Sequence, residues 1–300
     1  MKFSIVTPTF NSERFLRETI QSVLSQQGDF TIEYIFVDNC SQDNTRAIIA
    51  DFERLIDSGA YPVGCNGVTI SYHREKDNSM YEAINRGFAM ATGDVHAWIN
   101  SDDIYLPGAF AIVARSFSRF PEVRWLKGIT VYSNDSSTIY EAGRCFLYDR
   151  EWLKRGVYGR DAYFVQQASV FWRADLWKRA GGIDSRFKKA GDYFLWLKFA
   201  EHAPLYSLKA YVACFRKVAG QLSEDALSYR QEYDLIPVTF RHHLLRKIIR
   251  AYFYHENKLL FPALKKFFYR MLFNQQQLHV VAITDSNQLE AKTVSYYVEP

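Results

Sequence analysis

Apolar and polar positions along the first hundred residues follow two alternating patterns, one typical of strands and one typical of helices. The strand-like segments are FSIVTPTF, YIFVDN, VTISYHRE and VHAWINSDD. Between them, apolar residues recur every three or four positions. Asn11 or Ser12 can cap the first of these helices, and Gly93 closes the third, SMYEAINRGFAMATG. Such an alternation predicts a largely parallel sheet with helices on both faces.

Polar side chains follow each of the four strands at its carboxyl end. They are Thr7, Thr9 and Asn11, then Asp38 and Asn39, then His73, Arg74 and Glu75, and finally Asp102 and Asp103. The carboxyl ends of parallel strands share one edge of the sheet, where α/β proteins bind their ligands. A single polar strand end is equally well explained by contact with water, but four together predict a ligand site.

The pattern changes twice further along the chain. From residue 106 to 225 it is less regular, with short strand-like pieces and two helical patterns, ADLWKRAGG and GDYFLWLKFAEH. This segment contains no repeat and no linker, so we expect it to extend the same sheet. Residues 226–300 are predicted to form a basic helical extension.

The basic extension allows two interpretations. Between Arg241 and Arg270 eight basic residues accompany one acidic residue, Glu256, and apolar stripes recur at helical spacing on both sides of Pro262. These helices could lie on an anionic membrane surface, or they could pack on the rest of the protein with their charges in water. The apolar stripes fit either interpretation better than binding of nucleic acid.

Composition sets the compartment that we expect. The chain of 300 residues is 48% hydrophobic and 23% charged, with a net charge of +4, which is ordinary for a globular protein. Its four cysteines are scattered without a CxxC pair, which indicates reduced thiols and no cysteine metal site. The start turns polar too early for a signal peptide, and no apolar run is long enough for a transmembrane helix. We therefore expect a cytoplasmic protein, peripheral at the inner face of the membrane if the basic helices bind lipid.

The adjacent carboxylates of Asp102 and Asp103 are the first candidate for specific chemistry. Neither GxGxxG nor GxxxxGK[ST] occurs in the chain, so the common nucleotide-binding loops are missing. Paired carboxylates could instead bind Mg²⁺ or Mn²⁺, which keep open positions for phosphate oxygens. Such an ion would stabilise a nucleoside diphosphate as a leaving group. The residues alone predict no more than a nucleoside diphosphate with a metal ion.

A wider set of motifs resembles one enzyme family, the family-2 glycosyltransferases. Their nucleotide-sugar half is similar to SIVTPTFN, YIFVDNCSQDNT, SMYEAINRGFAMATGD and WINSDD, and their acceptor half to QQASVFWRADLWKRAGGIDSRFKKAGDYFLWLKFA. The resemblance runs in order over residues 2–223. It implies an A-type glycosyltransferase fold, a Rossmann-like mixed, mostly parallel sheet, with a nucleotide-sugar-binding half at 1–105 and an acceptor-binding half at 106–225. It also implies transfer of a sugar from a nucleotide-diphosphate donor, by family habit a UDP-sugar, to an acceptor hydroxyl.

The resemblance assigns donor-site roles by motif position. It implies Thr7, Thr9 and Asn11 lining the nucleoside pocket, Asp38 facing the base, Arg74 near the base or phosphates, and Asp102 near the ribose or donor sugar. Asp103, the last residue of the SDD triplet, would be the ligand of a divalent metal, Mn²⁺ or Mg²⁺. The triplet begins with Ser101 where many relatives have aspartate.

The acceptor half supplies a candidate catalytic base. In-line displacement of a nucleoside diphosphate requires a base that takes the proton of the attacking hydroxyl. Asp192 occupies the position of the family base, which implies inversion at the anomeric carbon. From the residues alone, Asp192 is better explained as a helix N-terminal carboxylate favoured by the helix dipole. Gln167 lies where relatives contact the acceptor or donor sugar, and Trp196 could stack on a sugar ring or belong to the core.

The chain departs from the family pattern after the predicted base helix. Many relatives carry a histidine that contacts the metal or the diphosphate, whereas the stretch FRKVAGQLS has Val218 at that position. Arg216 or Lys217 would then supply the positive charge for the diphosphate, and the dependence on metal is left open.

Three functions remain open. The first is an inverting glycosyltransferase for cell-surface polysaccharide or glycolipid synthesis, with a glycan or lipid-linked acceptor. A non-catalytic nucleotide-sugar binder would explain the missing histidine, but Asp192 and the SDD triplet argue against it. A nucleotidyltransferase would need more carboxylates and a basic, glycine-rich loop near the first strand, and SIVTPTFNSERF offers neither.

Overall fold

The first hundred residues form the predicted alternation of strands and helices. In chain order they are β1 (Lys2–Thr9), α1 (Leu16–Leu24), β2 (Gly28–Asp38), α2 (Thr45–Asp57), β3 (Cys65–Arg74), α3 (Met80–Met90) and β4 (Val95–Trp98). The helix α1 buries Leu16, Ile20, Val23 and Leu24, which lie on one face of the helix, as its apolar pattern predicts.

The computed structural model describes residues 1–156, 158, 164–218, 220–221, 225–235, 247, 278–284, 286 and 288–294. After β4 these residues contain β5 (Ile104–Tyr105), α4 (Ala109–Arg119), β6 (Trp125–Ser133), β7 (Ile139–Ala142), α5 (Arg150–Lys154), β8 (Val170–Arg173), α6 (Ala174–Ala180), α7 (Gly191–His202), β9 (Tyr206–Arg216), α8 (Ala226–Asp234), β10 (Leu278–Ile283) and β11 (Leu289–Val294). A turn of 3-10 helix, Gln167–Ser169, precedes β8.

All of these strands belong to one sheet, with the order β11-β10-β9-β6-β8-β4-β1-β2-β3 and with β5 and β7 paired at its side. β1 runs parallel to β2 and β4, and β2 runs parallel to β3. β8 is antiparallel to both β4 and β6, so it reverses direction where the two halves of the chain meet. The prediction of a mixed, mostly parallel sheet flanked by helices is confirmed.

The register of the sheet brings the predicted strand ends together. Thr9 is paired with Asp38, and Asp38 with Arg74, across three neighbouring strands. β4 ends at Trp98, whose partner on β1 is Val6. The polar residues after these strands therefore lie along one edge of the sheet, as expected for parallel strands.

The C-terminal part differs from the prediction of a purely helical extension. α8 is a helix, but β10 pairs in parallel with β9 and antiparallel with β11, so these two strands extend the main sheet. The sequence LHVVAI buries Leu278, Val280 and Val281, a β-branched pattern that favours a strand.

Apart from Lys247, the basic segment 241–270 lies outside the described residues. Among the helices that the structure describes, none is long and apolar enough to cross a bilayer.

Helix α3 packs on β1 through a glycine, which gives a first testable prediction. A Cβ atom at Gly87 would lie 2.5 Å from Val6 Cγ1 and 2.9 Å from Val6 Cγ2. Because Val6 is fully buried in the sheet, we expect Gly87→Ala to lower the free energy of unfolding by about 1–3 kcal/mol despite the better helix propensity of alanine. Urea denaturation measures this change.

A double-mutant cycle with Val6→Ala serves as the control for the contact. The two substitutions together should be less destabilising than the sum of the single changes, because removal of the Val6 methyl groups leaves space for the new Cβ. Additive effects would mean that the packing of α3 on β1 is not the reason for the glycine.

Candidate active site

A cleft of about 1250 Å³ opens at the carboxyl edge of the sheet. Both halves of the chain line it. Residues 1–105 contribute the positions that follow β1 and β4 and the start of α3. Later residues contribute the segment before β8, the start of α7, the residues after β9, and one face of α8. The cleft therefore brings together residues that are distant in sequence.

Six of the predicted site residues line the cleft. They are Thr9, Asn11 and Asp102 from the first 105 residues, and Gln167, Asp192 and Lys217 from later in the chain.

Hydrogen bonds at Asn11 connect the loops that follow β1 and β2. Its backbone N–H donates to Ser41 Oγ at 2.9 Å, and its Oδ1 accepts from the Gln42 N–H at 2.9 Å. These bonds hold Asn11 in a left-handed conformation, φ 48°, that asparagine tolerates better than most residues.

Three predicted donor-site residues do not line the cleft. Thr7 is buried two positions deeper in β1, where its hydroxyl lies 3.1 Å from the Tyr34 hydroxyl. The Asp38 carboxylate is also buried and accepts hydrogen bonds from Thr9 Oγ1 at 2.9 Å and Tyr72 OH at 2.9 Å. Arg74 is the last residue of β3, and it is exposed. Asp38 therefore orients Thr9, which does reach the cleft.

The two carboxylates of the SDD triplet point in different directions. Asp103 is 1% exposed, and its Oδ1 accepts from the Arg216 backbone N–H at 2.9 Å. Its burial, together with the neighbouring negative charge of Asp102, raises the pKa of Asp103 well above its usual range. Asp102 lines the cleft, and its Oδ2 accepts from Gln221 Nε2 at 2.7 Å. The residue predicted as the metal ligand is thus the less accessible member of the pair.

Arg216 forms hydrogen bonds with the acidic turn, residues 101–103, on the side away from the cleft. Its Nε donates to the Asp102 carbonyl at 2.9 Å, and its Nη2 forms an ion pair with Glu18 at 2.6 Å. Since Arg216 is 1% exposed and its charge is matched by Glu18, it does not face the cleft. Lys217, the next residue, does. Of the two cations predicted for the diphosphate, Lys217 is the one that the structure brings to the cleft.

Asp192 lies at the first turn of α7, where the backbone passes close to α3. A Cβ at the preceding Gly191 would lie 2.7 Å from the Tyr81 ring, so a larger residue would push the helix away. Asp192 is 8% exposed, and its burial raises the pKa of the carboxyl to about 6. A carboxylate with this pKa is ionised at neutral pH and basic enough to accept a proton.

The two residues predicted at the sugar have different surroundings. Gln167 lines the cleft and donates from Nε2 to the Trp98 carbonyl at 2.5 Å. Trp196 is 0% exposed and stacks between Trp98, at 5.7 Å, and Trp125, at 5.8 Å. Trp196 is thus part of the aromatic core beneath the cleft and does not line it.

Sequence reasoning missed several residues of the cleft. Phe10, 60% exposed, lies at its mouth directly after Thr9, and an apolar residue next to a strand end was a signal that could have identified it. Asp77 lines the cleft with its pKa raised to about 6, chiefly by burial. Tyr229 and Tyr233 come from α8, and no motif in the sequence pointed to them.

A divalent cation would find few protein ligands here. In the parts of the chain that the structure describes, no three His, Cys, Asp or Glu side chains come together as a metal site. Asp102 is the carboxylate of the acidic turn that reaches the cleft, and Val218 and Gln221 line the wall beside it. Magnesium-type ions are commonly held by one or two carboxylates together with substrate phosphates and water. The donor set therefore fits an ion that arrives with a diphosphate.

This sheet, with a polar cleft at its carboxyl edge, is the architecture of A-type glycosyltransferases. Staphylococcus aureus TarS, solved with UDP-GlcNAc, has a TM-score of 0.59 at 17% identity, and the similarity covers 75% of this chain and 61% of that one. Mannosyltransferase PcManGT from Pyrobaculum calidifontis, in complex with GDP-Man and Mn²⁺, has a TM-score of 0.50 at 15% identity, with 71% and 56% covered. At these identities the similarity shows the fold, and the chain spans about three fifths of each structure's length.

Comparisons of sequence point to the same class of enzyme. Residues 4–144 match the model of glycosyl transferase family 2. An uncharacterised glycosyltransferase of Rickettsia typhi is 23% identical over 235 residues, which are 78% of this chain and 69% of the relative. The PGL/p-HBAD biosynthesis glycosyltransferase of Mycobacterium tuberculosis is 28% identical over 193 residues, 64% of this chain and 66% of the relative. The match over residues 4–144 and the glycosyltransferase relatives confirm the resemblance to family-2 glycosyltransferases found in the motifs, and they support an enzyme that transfers a sugar.

Proposed function

We propose that this glycosyltransferase is an inverting enzyme that uses Asp192 as its base and a nucleoside-diphosphate sugar, preferably a UDP-sugar, as its donor. The supporting observation is the shared cleft, in which the Asp192 carboxylate, with its raised pKa, opens to the same space as Asp102 and Thr9. A non-catalytic binder would have no use for such a base.

The donor would bind along the carboxyl edge of the sheet. Thr9 and Asn11 would line the nucleoside, with Phe10 available to stack on the base. TarS was solved with UDP-GlcNAc, which supports uridine, whereas the GDP-Man of PcManGT keeps guanosine as an alternative to be tested. Lys217 would balance the diphosphate charge.

Asp102, rather than Asp103, would hold a divalent cation, together with the diphosphate. Asp102 lines the cleft, whereas the Asp103 carboxylate is buried against the Arg216 backbone. When bound, Mn²⁺ or Mg²⁺ would neutralise charge that develops on the leaving diphosphate. Gln221, whose Nε2 donates to Asp102 Oδ2 at 2.7 Å, would orient the carboxylate.

In the reaction, Asp192 would take the proton of the acceptor hydroxyl as its oxygen attacks the anomeric carbon. The new carbon–oxygen bond forms on the face opposite the diphosphate, and the bond between the anomeric carbon and the phosphate oxygen breaks. The electron pair leaves with the nucleoside diphosphate, and the configuration is inverted. Gln167, held by the Trp98 carbonyl, would contact one of the two sugars.

The acceptor would be a glycan or a lipid-linked molecule of cell-surface polysaccharide or glycolipid synthesis. One relative carries the name PGL/p-HBAD biosynthesis glycosyltransferase, which supports an acceptor of this kind. The basic segment 241–270 would bring the enzyme to the inner face of a membrane, where such acceptors lie.

Calorimetric titration with UDP, GDP and dTDP, with Mn²⁺ or with EDTA, tests the donor site. We expect UDP to bind most tightly, and only weakly with EDTA.

Lys217→Met should weaken the binding of UDP about three- to tenfold without changing the affinity for uridine, because the lost charge faces the diphosphate. Lys209→Met is the matched control: Lys209 is an exposed lysine of β9, the strand that ends just before Lys217, and its loss should leave both affinities unchanged. If no nucleoside diphosphate binds under any condition, the proposed function fails. Binding without sugar release from any donor would favour the non-catalytic binder.

A further inference from the structure

Helix α8 packs over the start of α7, the helix that carries Asp192. Tyr233 of α8 contacts Tyr193 of α7 with a ring separation of 4.2 Å, in a small apolar cluster that also includes Phe187 and Leu197. This cluster is separate from the main core of the sheet. Both α7 and α8 lie beyond residues 4–144, the part of the chain that matches the family model.

Glu232 of α8 forms hydrogen bonds with the backbone of residues 188–190, just before Asp192. Its carboxylate accepts hydrogen bonds from three successive backbone N–H groups, those of Lys188 at 2.9 Å, Lys189 at 2.8 Å and Ala190 at 2.7 Å. A carboxylate at a helix N-terminus is also favoured by the helix dipole. The Lys189 side chain forms an ion pair with Asp225, just before α8. Polar as well as apolar contacts thus join α8 to residues 188–193, the segment that contains Asp192.

Within the described residues, the hydrogen bonds to the Asp192 carboxylate end on Oδ1. Tyr229 OH donates to it at 2.8 Å and the Tyr193 backbone N–H at 2.8 Å. Tyr81 OH lies 3.3 Å from the same oxygen but only 2.6 Å from the Lys189 carbonyl. A hydroxyl has one proton to donate, so Tyr81 serves mainly the carbonyl and Tyr229 the carboxylate.

We propose that Tyr229 is a positioning residue: its hydroxyl fixes Oδ1 of Asp192 and leaves Oδ2 to take the proton of the acceptor, which makes α8 part of the active site. This inference rests on the proposed role of Asp192 as the base. A base must lie within hydrogen-bond reach of its proton in a fixed orientation, which a single anchored oxygen provides.

The proposal also predicts how Asp192 titrates. The ionisable and charged groups around it are Tyr81 from α3, Lys189 from the preceding segment, and Tyr229, Glu232 and Tyr233 from α8. Burial raises the pKa of Asp192 to about 6, and the Tyr229 hydrogen bond opposes this by stabilising the ionised form. Loss of the hydroxyl must therefore raise the pKa further.

The test is Tyr229→Phe, read out by titration of the Asp192 carboxyl carbon in protein labelled with ¹³C-aspartate, where Asp192→Asn assigns the signal. We expect the pKa to rise by about one unit, since one hydrogen bond to a carboxylate is removed. We also expect the acid limb of UDP release from UDP-GlcNAc or GDP release from GDP-mannose, measured without acceptor, to move to higher pH by the same amount. The titration requires no donor. An unchanged or lowered pKa overturns the inference.

Two control variants separate positioning from general damage. Tyr158→Phe removes another buried tyrosine hydroxyl, one that accepts from the Asp149 N–H at 2.9 Å outside the cleft, and should leave the titration unchanged. Tyr81→Phe should shift the pKa of Asp192 less than Tyr229→Phe does, because the Tyr81 proton is donated to a carbonyl. An equal or larger shift would contradict the assignment to Tyr229.

If Asp192→Asn still releases nucleoside diphosphate at the parent rate, the proposed base itself fails. If Asp192→Asn is inactive and Tyr229→Phe has the parent titration, only this inference fails.

Discussion

Replacement of Asp192 by asparagine is expected to lower turnover by a factor of about 10² to 10⁴, the range that a positioned general base contributes. Asparagine has nearly the same shape as aspartate and can still accept from Tyr229, so the cleft should keep its geometry. UDP affinity should therefore remain within about twofold of the parent value, because the substitution removes an interaction made during the reaction and not in nucleotide binding. Steady-state release of nucleoside diphosphate and calorimetric titration measure the two quantities.

The pH dependence of the parent enzyme gives this prediction a second signature. Asp192 acts as a base only when ionised, so activity should fall as the pH drops through about 6, the pKa of the buried carboxyl. The same shift affects stability. The native state keeps this proton to higher pH than the unfolded state does, so the contribution of Asp192 becomes unfavourable as the pH rises from about 4 to 6.

At pH 7 the ionised, buried carboxylate is therefore a cost of roughly 2–3 kcal/mol, following about 1.4 kcal/mol for each unit of raised pKa. We expect Asp192→Asn to unfold at a temperature equal to or above that of the parent at this pH. A variant with full turnover would exclude Asp192 as the base. An inactive variant with a lower unfolding temperature would attribute the loss to folding instead.

Asp102→Ala is expected to have the second largest effect, on the metal dependence of donor binding. The substitution removes the carboxylate of the acidic turn that reaches the cleft, so the gain in UDP affinity on addition of Mn²⁺ should fall by about 10- to 100-fold. Because Asp102 lies at the surface of the cleft, its loss should change the free energy of unfolding little. Titration of UDP with and without Mn²⁺ gives the first quantity, and urea denaturation gives the second.

Asp103→Ala is the matched variant, and the opposite result is expected. The Asp103 carboxylate is buried and accepts the Arg216 backbone N–H, which would be left without a partner at a cost of about 1–3 kcal/mol. The variant should thus be less stable, whereas the ratio of UDP affinities with and without Mn²⁺ should stay near the parent value. If Asp103→Ala abolished that ratio in a folded protein and Asp102→Ala did not, the metal ligand would be Asp103, as the motif alone predicts.

The difference between the two aspartates illustrates how far the sequence could lead. The alternation of apolar runs predicts β1 to β4 and their shared edge, because strand periodicity and parallel connections follow general rules. Which of two adjacent carboxylates faces the cleft depends on the turn after β4, where Thr19 Oγ1 donates to the Asp103 carbonyl at 2.8 Å and Arg216 Nε to that of Asp102 at 2.9 Å. These contacts come from distant elements that periodicity cannot reveal.

The same limit applies to the surroundings of Asp192. The family motif points to Asp192, but its partner Tyr229 lies in a helix with no strong apolar pattern, and only tertiary packing brings the two together. Trp196 was a candidate for sugar stacking because aromatic residues serve either purpose, and a single sequence does not distinguish a buried indole from an exposed one.

The pairing of β10 with β9 affects how the basic segment can be studied. Val280 and Val281 are buried where β10 lies beside the Tyr206–Leu208 end of β9. A protein truncated before residue 278 would expose the backbone N–H and C=O groups of β9 as a free, apolar edge that invites aggregation. Sedimentation of such a truncated protein would imitate, or conceal, binding to vesicles. Charge-reversing substitutions of Arg246, Lys247 and Arg250 in the full chain keep the edge covered and allow attraction to anionic lipid to be measured by itself.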